Sequence, residues 1–262
     1  MRTLSNLYRG ALDLVFAPAC VACGGIIPTT ASDRSVCVRC WSRARPIPLP
    51  RCVRCSAPLP PAQGSVLPTC KECPQLRPAI RAIRSAFLLE KPVRSVVHAL
   101  KYRGWPIVAV AMAQRMAAVD WPDEVARDVS IVVPVPISPL RKRQRGYNQA
   151  ALLAREVARL RDFGCSTEAL IRTRSSGSQT TLHPTERRAN VARAFQVAIG
   201  EESAFVSQHV MVVDDVWTTG ATALSCAEAL LDSGARAVSI LTFARALPEL
   251  ERLERRLKNV KT

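Results

Sequence analysis

The fold is decided by one stretch of sequence, Val210-Met-Val-Val-Asp-Asp-Val-Trp-Thr-Thr-Gly-Ala-Thr222. Its four apolar residues predict a buried strand that ends at Asp214 and Asp215, and the Thr-Thr-Gly loop leads into a predicted helix, Ala221–Asp232. Backbone N–H groups and hydroxyls at a helix start suit a phosphate. Two carboxylates beside them can accept hydrogen bonds from vicinal ribose hydroxyls. The alternative is an ordinary strand–turn–helix connection in which Asp and Thr act as caps.

Strand-like and helix-like segments alternate on both sides of this stretch. We predict further strands and helices in the order Ala86–Leu89 (strand), Pro92–Tyr102 and Val108–Val119 (helices), Val129–Val135 (strand), Asn148–Leu160 (helix), Ser166–Arg172 and Ala237–Phe243 (strands), and a charged helix Ala246–Lys258. Such alternation is typical of an α/β domain with a mainly parallel sheet, in which ligands bind beyond the carboxyl ends of the strands. We assign this domain to residues 79–262.

The first 78 residues hold eight cysteines in four Cys-x-x-Cys pairs. Two such pairs complete a tetrahedral, closed zinc site, whereas disulfides or redox pairs would not need four pairs so close together. The segment that starts at Cys20 resembles the one that starts at Cys52, which favours sequential pairing but leaves an interleaved arrangement open. We therefore predict two structural zinc ions, with iron–sulfur ligation as the alternative, bound by Cys20, Cys23, Cys37, Cys40, Cys52, Cys55, Cys70 and Cys73. A short helix, Leu4–Phe16, is predicted to precede this module.

Composition indicates a globular protein with anionic partners. The chain has 262 residues, 48% hydrophobic residues and a formal net charge of +16. Its apolar runs are shorter than the roughly 20 residues that span a bilayer, so we expect no membrane insertion. A signal peptide or a lipid-anchored cysteine is the alternative for the N-terminal segment, but Asp13 interrupts its apolar stretch and Cys20 begins the metal-ligand pattern, so we expect a cytoplasmic location. Four cations, suited to phosphodiester contact, fall within one short segment: Arg141, Lys142, Arg143 and Arg145. The alternatives are a solvated loop or the counter-charge of a bound pyrophosphate.

Several segments together resemble a known family. The stretch from Val210 to Thr222 resembles the phosphoribosyl-pyrophosphate-binding motif of type I phosphoribosyltransferases, and the whole pattern resembles the ComF family of competence-associated proteins with an N-terminal double zinc ribbon. The match runs from about Leu12 to Ala244. The other segments that carry it are Leu100-Lys-Tyr-Arg-Gly104, Val133-Pro-Val-Pro136, Arg141-Lys-Arg-Gln-Arg-Gly-Tyr-Asn-Gln-Ala150, Gln179, Thr180, Arg187, Asn190 and Ala194-Phe195.

This resemblance implies a type I phosphoribosyltransferase fold with a flexible hood, Arg172–Asn190, that closes over phosphoribosyl pyrophosphate and its magnesium. It implies a site for the ribose and the 5-phosphate at Asp214, Asp215, Thr218, Thr219, Gly220, Ala221 and Thr222. Pyrophosphate would lie against Pro134, Val135 and Pro136 and the basic loop that contains Arg141, Lys142, Arg143 and Arg145. The catalytic candidates are Asp214, Asp215 and Arg187; a solvated surface residue is the alternative for Arg187.

Two classes of function follow from the resemblance. The first is an enzyme that transfers phosphoribose to a base or amine. The second is a non-catalytic accessory protein that retains the fold and binds single-stranded DNA, with DNA-uptake or helicase proteins as partners. Either class would serve DNA uptake, transformation or repair. Thr218 stands where purine-type relatives often carry a carboxylate, so no general base can be assigned. Ala221 replaces a frequent glycine. Ligand binding is therefore better supported than turnover.

Overall fold

The computed structural model describes residues 18–60, 70–71, 73–102, 105–173 and 194–247. Three predicted segments lie wholly or mostly outside these ranges and stay predictions: the helix Leu4–Phe16, the hood Arg172–Asn190 with Arg187, and the helix Ala246–Lys258. The described strands are β1 (Ile80–Leu88), β2 (Val129–Pro134), β3 (Gly164–Cys165), β4 (Leu170–Arg172), β5 (Phe195–Val197), β6 (His209–Trp217) and β7 (Ala237–Arg245). The described α-helices are α1 (Val38–Ser42), α2 (Val93–Tyr102), α3 (Val108–Ala117), α4 (Asp123–Asp128), α5 (Pro139–Arg145), α6 (Gln149–Arg161) and α7 (Ala221–Asp232).

Five strands form one sheet in the order β1-β7-β6-β2-β3, and every neighbouring pair is parallel. Strand β6 lies at its centre, and every residue of β7 is buried. Parallel sheets are covered on both faces, which explains why these strands are continuous apolar runs rather than alternating ones. The predicted mainly parallel α/β sheet is confirmed.

Successive residues of β6 contribute to two separate cores, as the two-residue period of a strand requires. Met211 and Val213 pack on the face covered by α2, α3 and α6, whereas Val210 and Val212 pack on the face covered by α7. The sheet therefore holds the carboxyl end of β6 rigidly from both sides.

The structure corrects three predictions. The segment containing Arg141–Arg145 is not a loop but helix α5, because Ser138 caps it and Gly146 ends it in the left-handed conformation. Strand β6 continues to Trp217, so Asp214 and Asp215 lie within the ladder rather than beyond it. Only the end of Ser166–Arg172 is a strand, β4, and it pairs with β5 in a separate antiparallel sheet.

The cysteine-rich segments pack against both faces of the sheet. The first cysteine unit holds Cys20 to Cys40 and the second holds Cys52 to Cys73. Trp41, next to the first unit, stacks on Phe87 and meets Phe243 edge-on, with ring centroids 5.9 Å and 6.2 Å apart. Cys52 and Cys55 of the second unit belong to the core on the α7 side. Among the described residues, no helix has the length and apolar character that crossing a membrane requires.

Candidate functional site

Two clusters of four cysteines are formed by residues that are sequential in the chain. The sulfur atoms within each cluster all lie within 4.8 Å of one another, the first cluster being Cys20, Cys23, Cys37 and Cys40 and the second Cys52, Cys55, Cys70 and Cys73. Sγ–Sγ separations of 3.8, 3.4 and 3.5 Å fit a tetrahedral ion, since Zn–S bonds of about 2.3 Å place two ligand sulfurs about 3.8 Å apart. All-sulfur sites with no open position are typical of structural zinc. Sequential pairing is confirmed.

Asp214 and Asp215 form a carboxylate pair on β6, where the ladder to β7 continues on either side of them. Asp215 is 3% exposed, and the Lys101 Nζ lies 2.9 Å from its Oδ1. Its Oδ2 is buried without a hydrogen-bond partner among the described residues. The Asp215 backbone N–H donates to the Asp214 Oδ1 over 2.8 Å. Burial, reinforced by the charge of Asp215, raises the pKa of Asp214 to about 8.

The loop after β6, which we call the phosphate loop (Thr218–Thr222), begins helix α7. Gly220 has φ +78° at the N-cap position of the helix, and the Ala221 N–H donates to the Thr219 Oγ1 over 3.4 Å. A Cβ at Gly220 would overlap the Trp217 indole and lie 2.7 Å from its Cε2, so only glycine fits against this ring. The other four residues of the loop are exposed at the start of a 12-residue helix, so their hydroxyls and N–H groups, apart from the bonded Ala221 N–H, are open to a ligand. This arrangement is suited to an anion.

A basic pocket of about 320 Å³ opens beside the carboxylate pair. Among the described residues, three cations and no acid line it: the lining consists of Lys101, Tyr102, Arg141, Gln144, Arg145 and Tyr147. The Arg145 guanidinium lies 4.9 Å from the centre of the Tyr102 ring. The Tyr147 hydroxyl donates to the Leu100 carbonyl over 2.5 Å, which ties the end of α2 to the segment that follows α5. Lys101 both lines the pocket and pairs with Asp215, so it joins the two parts of the site.

The structure brings most of the predicted site residues together and separates a few. Arg141 and Arg145 line the pocket, whereas Lys142 and Arg143 lie on α5 outside its lining. Pro134 pairs with Val213 on β6, and the N–H of Val135 donates to the Val213 carbonyl over 2.9 Å, so this turn lies beside the carboxylates.

Sequence reasoning missed Lys101 as the partner of Asp215, together with Tyr102, Gln144 and Tyr147. Lys101 and Tyr102 lie at the end of α2, in the Leu-Lys-Tyr-Arg-Gly segment, which contributes to the family resemblance without indicating a role for either residue. Their contact with the site depends on how α2 packs on the sheet. The one signal in the sequence is a basic residue in the last turn of a helix.

Comparison with known proteins agrees with these features. The double zinc ribbon domain family matches residues 11–74. DNA utilization protein YhgH of Escherichia coli K12 is 30% identical over 218 residues, which are 83% of this chain and 87% of that protein. Competence protein ComFC of Bacillus subtilis is 28% identical over 224 residues, 82% of this chain and 85% of that protein. Competence protein F of Haemophilus influenzae is 33% identical over 115 residues, 44% of this chain and 50% of that protein.

This chain belongs to the ComF family.

Solved structures that resemble this ComF-family chain include two enzymes whose names contain the word phosphoribosyl. Glutamine phosphoribosylpyrophosphate amidotransferase from Bacillus subtilis superposes with a TM-score of 0.37 at 16% identity, over 55% of this chain and 30% of that one. Hypoxanthine phosphoribosyltransferase from Staphylococcus aureus superposes with a TM-score of 0.32 at 12% identity, over 53% of this chain and 73% of that one.

Proposed function

We propose that this ComF-family chain binds phosphoribosyl pyrophosphate, with magnesium, where β6 meets α7. The observation that carries the proposal is the Asp215 Oδ2, a buried carboxylate oxygen without a partner among the described residues, close in sequence to the exposed phosphate loop at the start of α7. A buried acceptor left unsatisfied costs about 1–3 kcal/mol, and more when it is charged. A ligand that donates hydrogen bonds removes this cost, and a sugar phosphate supplies both hydroxyl donors and an anion.

The ribose hydroxyls are the hydrogen-bond donors that this carboxylate pair needs. Asp214 uses one oxygen to accept the Asp215 N–H, and Asp215 uses one on Lys101, so each retains acceptor capacity for a hydroxyl donor. Hydrogen bonds to a carboxylate are roughly twice as strong as neutral ones. Ligand hydroxyls would also stabilise the ionised form of Asp214, whose pKa burial raises.

The two ends of the ligand carry anions, and the site offers a cationic or donor surface to each. The 5-phosphate suits the phosphate loop, with Thr218, Thr219 and Thr222 supplying hydroxyls and α7 its first N–H groups. The pyrophosphate suits the basic pocket beside Lys101, because the described part of its lining has three cations and no acid. When bound, magnesium would supply positive charge to the pyrophosphate, in addition to the cations of the basic pocket.

In an enzyme, a nitrogen of a base or amine would bond to the anomeric carbon while the bond to pyrophosphate breaks. The sugar becomes cationic in this step, and the carboxylate pair would stabilise that charge while the basic pocket holds the leaving group. No carboxylate occupies the Thr218 position, so proton removal would fall to the acceptor itself or to solvent.

The test is a calorimetric titration with phosphoribosyl pyrophosphate and magnesium. The variant that carries both Asp214→Asn and Asp215→Asn should bind at least about tenfold more weakly, because 1.4 kcal/mol corresponds to about one decade. Asp123→Asn, which alters an exposed carboxylate on α4, is the matched control and should bind like the wild type. Equal affinity in wild type and double variant, or no binding at millimolar ligand, would refute the site. Release of pyrophosphate across a panel of bases and amines then tests turnover.

A second candidate function, single-stranded DNA binding, is favoured by helix α5. Arg141, Lys142 and Arg143 are exposed, Arg145 is half-buried, and none of the four pairs with a carboxylate within the part of the chain that the structure describes. The Tyr102 ring beneath Arg145 is 63% exposed and could stack on a base. Basic side chains beside an accessible aromatic ring are typical of sequence-tolerant single-strand binding.

Fluorescence anisotropy with a labelled oligonucleotide at several salt concentrations tests this function. Changing the four α5 cations to Gln should lower the affinity and reduce the slope of log K against log salt by up to about 3, at roughly 0.7 per phosphate contact. A matched variant neutralises four exposed cations elsewhere, Lys91, Arg94, Arg127 and Arg159. If both variants change the slope equally, net charge rather than α5 governs binding.

A further inference from the structure

The turn between the first two cysteines of the second metal site, residues Cys52–Ser56, is embedded in the protein. We call it the second knuckle. Cys55 and Ser56 are 0% and 1% exposed. Ser56 Oγ donates to the Ile83 carbonyl over 3.0 Å, and the Ile83 N–H donates to the Arg54 carbonyl over 2.8 Å. The second knuckle is therefore bonded to the edge strand β1, and it cannot move independently of the sheet.

Two buried arginines connect the second knuckle to tryptophans of the α/β domain. Arg84 is 6% exposed, donates to the Val53 carbonyl over 2.7 Å, and lies 5.7 Å from the centre of the Trp121 ring. Arg245 is 2% exposed, donates to the Cys55 carbonyl over 2.8 Å, and lies 5.4 Å from the centre of the Trp217 ring. Each guanidinium thus combines a carbonyl contact with a cation–π contact.

The Arg84 and Arg245 connections end at tryptophans in different parts of the α/β domain. Trp121 precedes α4, away from the carboxylate pair in sequence. Trp217 directly precedes the phosphate loop, is 5% exposed, and occupies the space that a side chain at residue 220 would need. Its carbonyl accepts the Ala246 N–H over 2.8 Å, so both its backbone and its ring are held.

We propose that Arg245 and Trp217 are positioning residues through which the second knuckle fixes the phosphate loop for its anionic ligand. This inference rests on the proposed function and deepens it, because it gives the second metal site a part in ligand binding. The Cys55 carbonyl fixes the position of the Arg245 guanidinium, and the guanidinium fixes the orientation of the Trp217 indole. The indole in turn fixes the position of Gly220 and so the start of α7. The first cysteine unit has no such route among the described residues, since it packs into the opposite core with α2 and α3.

Arg84 provides a matched control, because it is a second buried arginine bonded to the same knuckle and stacked on a different tryptophan. The experiment compares wild type, Arg245→Lys and Arg84→Lys. Lysine keeps the charge but loses the planar fork that bonds and stacks at once. Both variants should keep two zinc ions and show a lower Tm.

The first readout uses no ligand: acrylamide quenching of Trp217 fluorescence, taken as the difference between each protein and its Trp217→Phe counterpart. Arg245→Lys should raise this quenching and Arg84→Lys should leave it near the wild-type value. The second readout is calorimetric affinity for phosphoribosyl pyrophosphate with magnesium. Arg245→Lys should weaken it about tenfold, a change of about 1.4 kcal/mol, and Arg84→Lys less than about twofold.

The outcomes separate this inference from the proposed function. Equal Trp217 quenching in all three proteins overturns the inference, and so does equal affinity of Arg245→Lys and Arg84→Lys for a ligand that the wild type binds. If Arg245→Lys alters Trp217 but not even the wild type binds the ligand, the positioning contact stands and the proposed function fails. If Arg245→Lys does not fold, Trp217→Phe alone decides: a severalfold loss of affinity supports the inference, and unchanged affinity overturns it.

Discussion

The variant Gly220→Ala tests whether the phosphate loop is held by the Trp217 ring. Gly220 has φ +78°, which costs alanine about 1–2 kcal/mol. The added Cβ would also lie 2.7 Å from Trp217 Cε2. Because Arg245 and the Ala246 N–H hold Trp217, the ring cannot turn aside cheaply. Overpacking of this kind costs about 1–3 kcal/mol more.

Gly146→Ala is a matched control, since Gly146 has φ +79° and a Cβ at this position would meet no atom within 4 Å. The backbone cost should be the same in both variants, about 1–2 kcal/mol. Equilibrium urea unfolding in the presence of zinc should therefore give a loss about 1–3 kcal/mol larger for Gly220→Ala. Losses that agree within about 0.5 kcal/mol, the usual range for substitutions that disturb no packed feature, would show that the ring does not constrain the loop.

The carboxylate pair makes stability depend on pH. The folded pKa of Asp214 is about 8 and its ordinary value is 3.8, so folding takes up a proton and stability falls as pH rises between these values. The free energy of unfolding of Asp214→Asn, measured in urea, should therefore rise relative to that of the wild type from about pH 6 to about pH 8.5. A difference that stays constant over this range would contradict the expectation. His209 behaves oppositely: burial lowers its pKa although Asp128 bonds one ring nitrogen and Ser239 the other, so stability should fall as pH drops below about 6.5. His209→Gln should remove that part of the acid sensitivity; an unchanged profile would show that folding does not shift the pKa of this histidine. Elemental analysis should find about two zinc ions per chain; eight free thiols without zinc or iron would contradict the cysteine clusters, and a coloured protein would indicate iron–sulfur ligation.

Local patterns in the sequence predict the features that depend on neighbouring residues. Both bounds of helix α7 are predicted correctly, because a glycine precedes its first turn and apolar residues recur along it. The two metal sites follow from Cys-x-x-Cys spacing and an internal repeat, and β6 from its apolar run. Each of these features depends on residues that are close together in the sequence.

Features that depend on packing between distant segments escape prediction from the sequence. The strand β6 extends past Asp214 because β7 continues to pair with it, a condition that its own sequence does not express. The four cations of α5 suggest a solvated loop. The residues that indicate a helix are Ser138 and Pro139 at its start and Gly146 at its end. The Lys101–Asp215 and Arg245–Cys55 contacts join residues over 100 positions apart, and only the fold brings them together.

The central claim is that the carboxylate pair of β6 recognises a ribose with two free hydroxyls. Competition of ribose 5-phosphate and 2-deoxyribose 5-phosphate against phosphoribosyl pyrophosphate measures this most directly. One charge-assisted hydrogen bond is worth about 1.5–3 kcal/mol, so ribose 5-phosphate should compete at least about tenfold better in the wild type. The preference should disappear when Asp214 and Asp215 are both asparagine. Equal competition by the two sugars in the wild type would contradict the account.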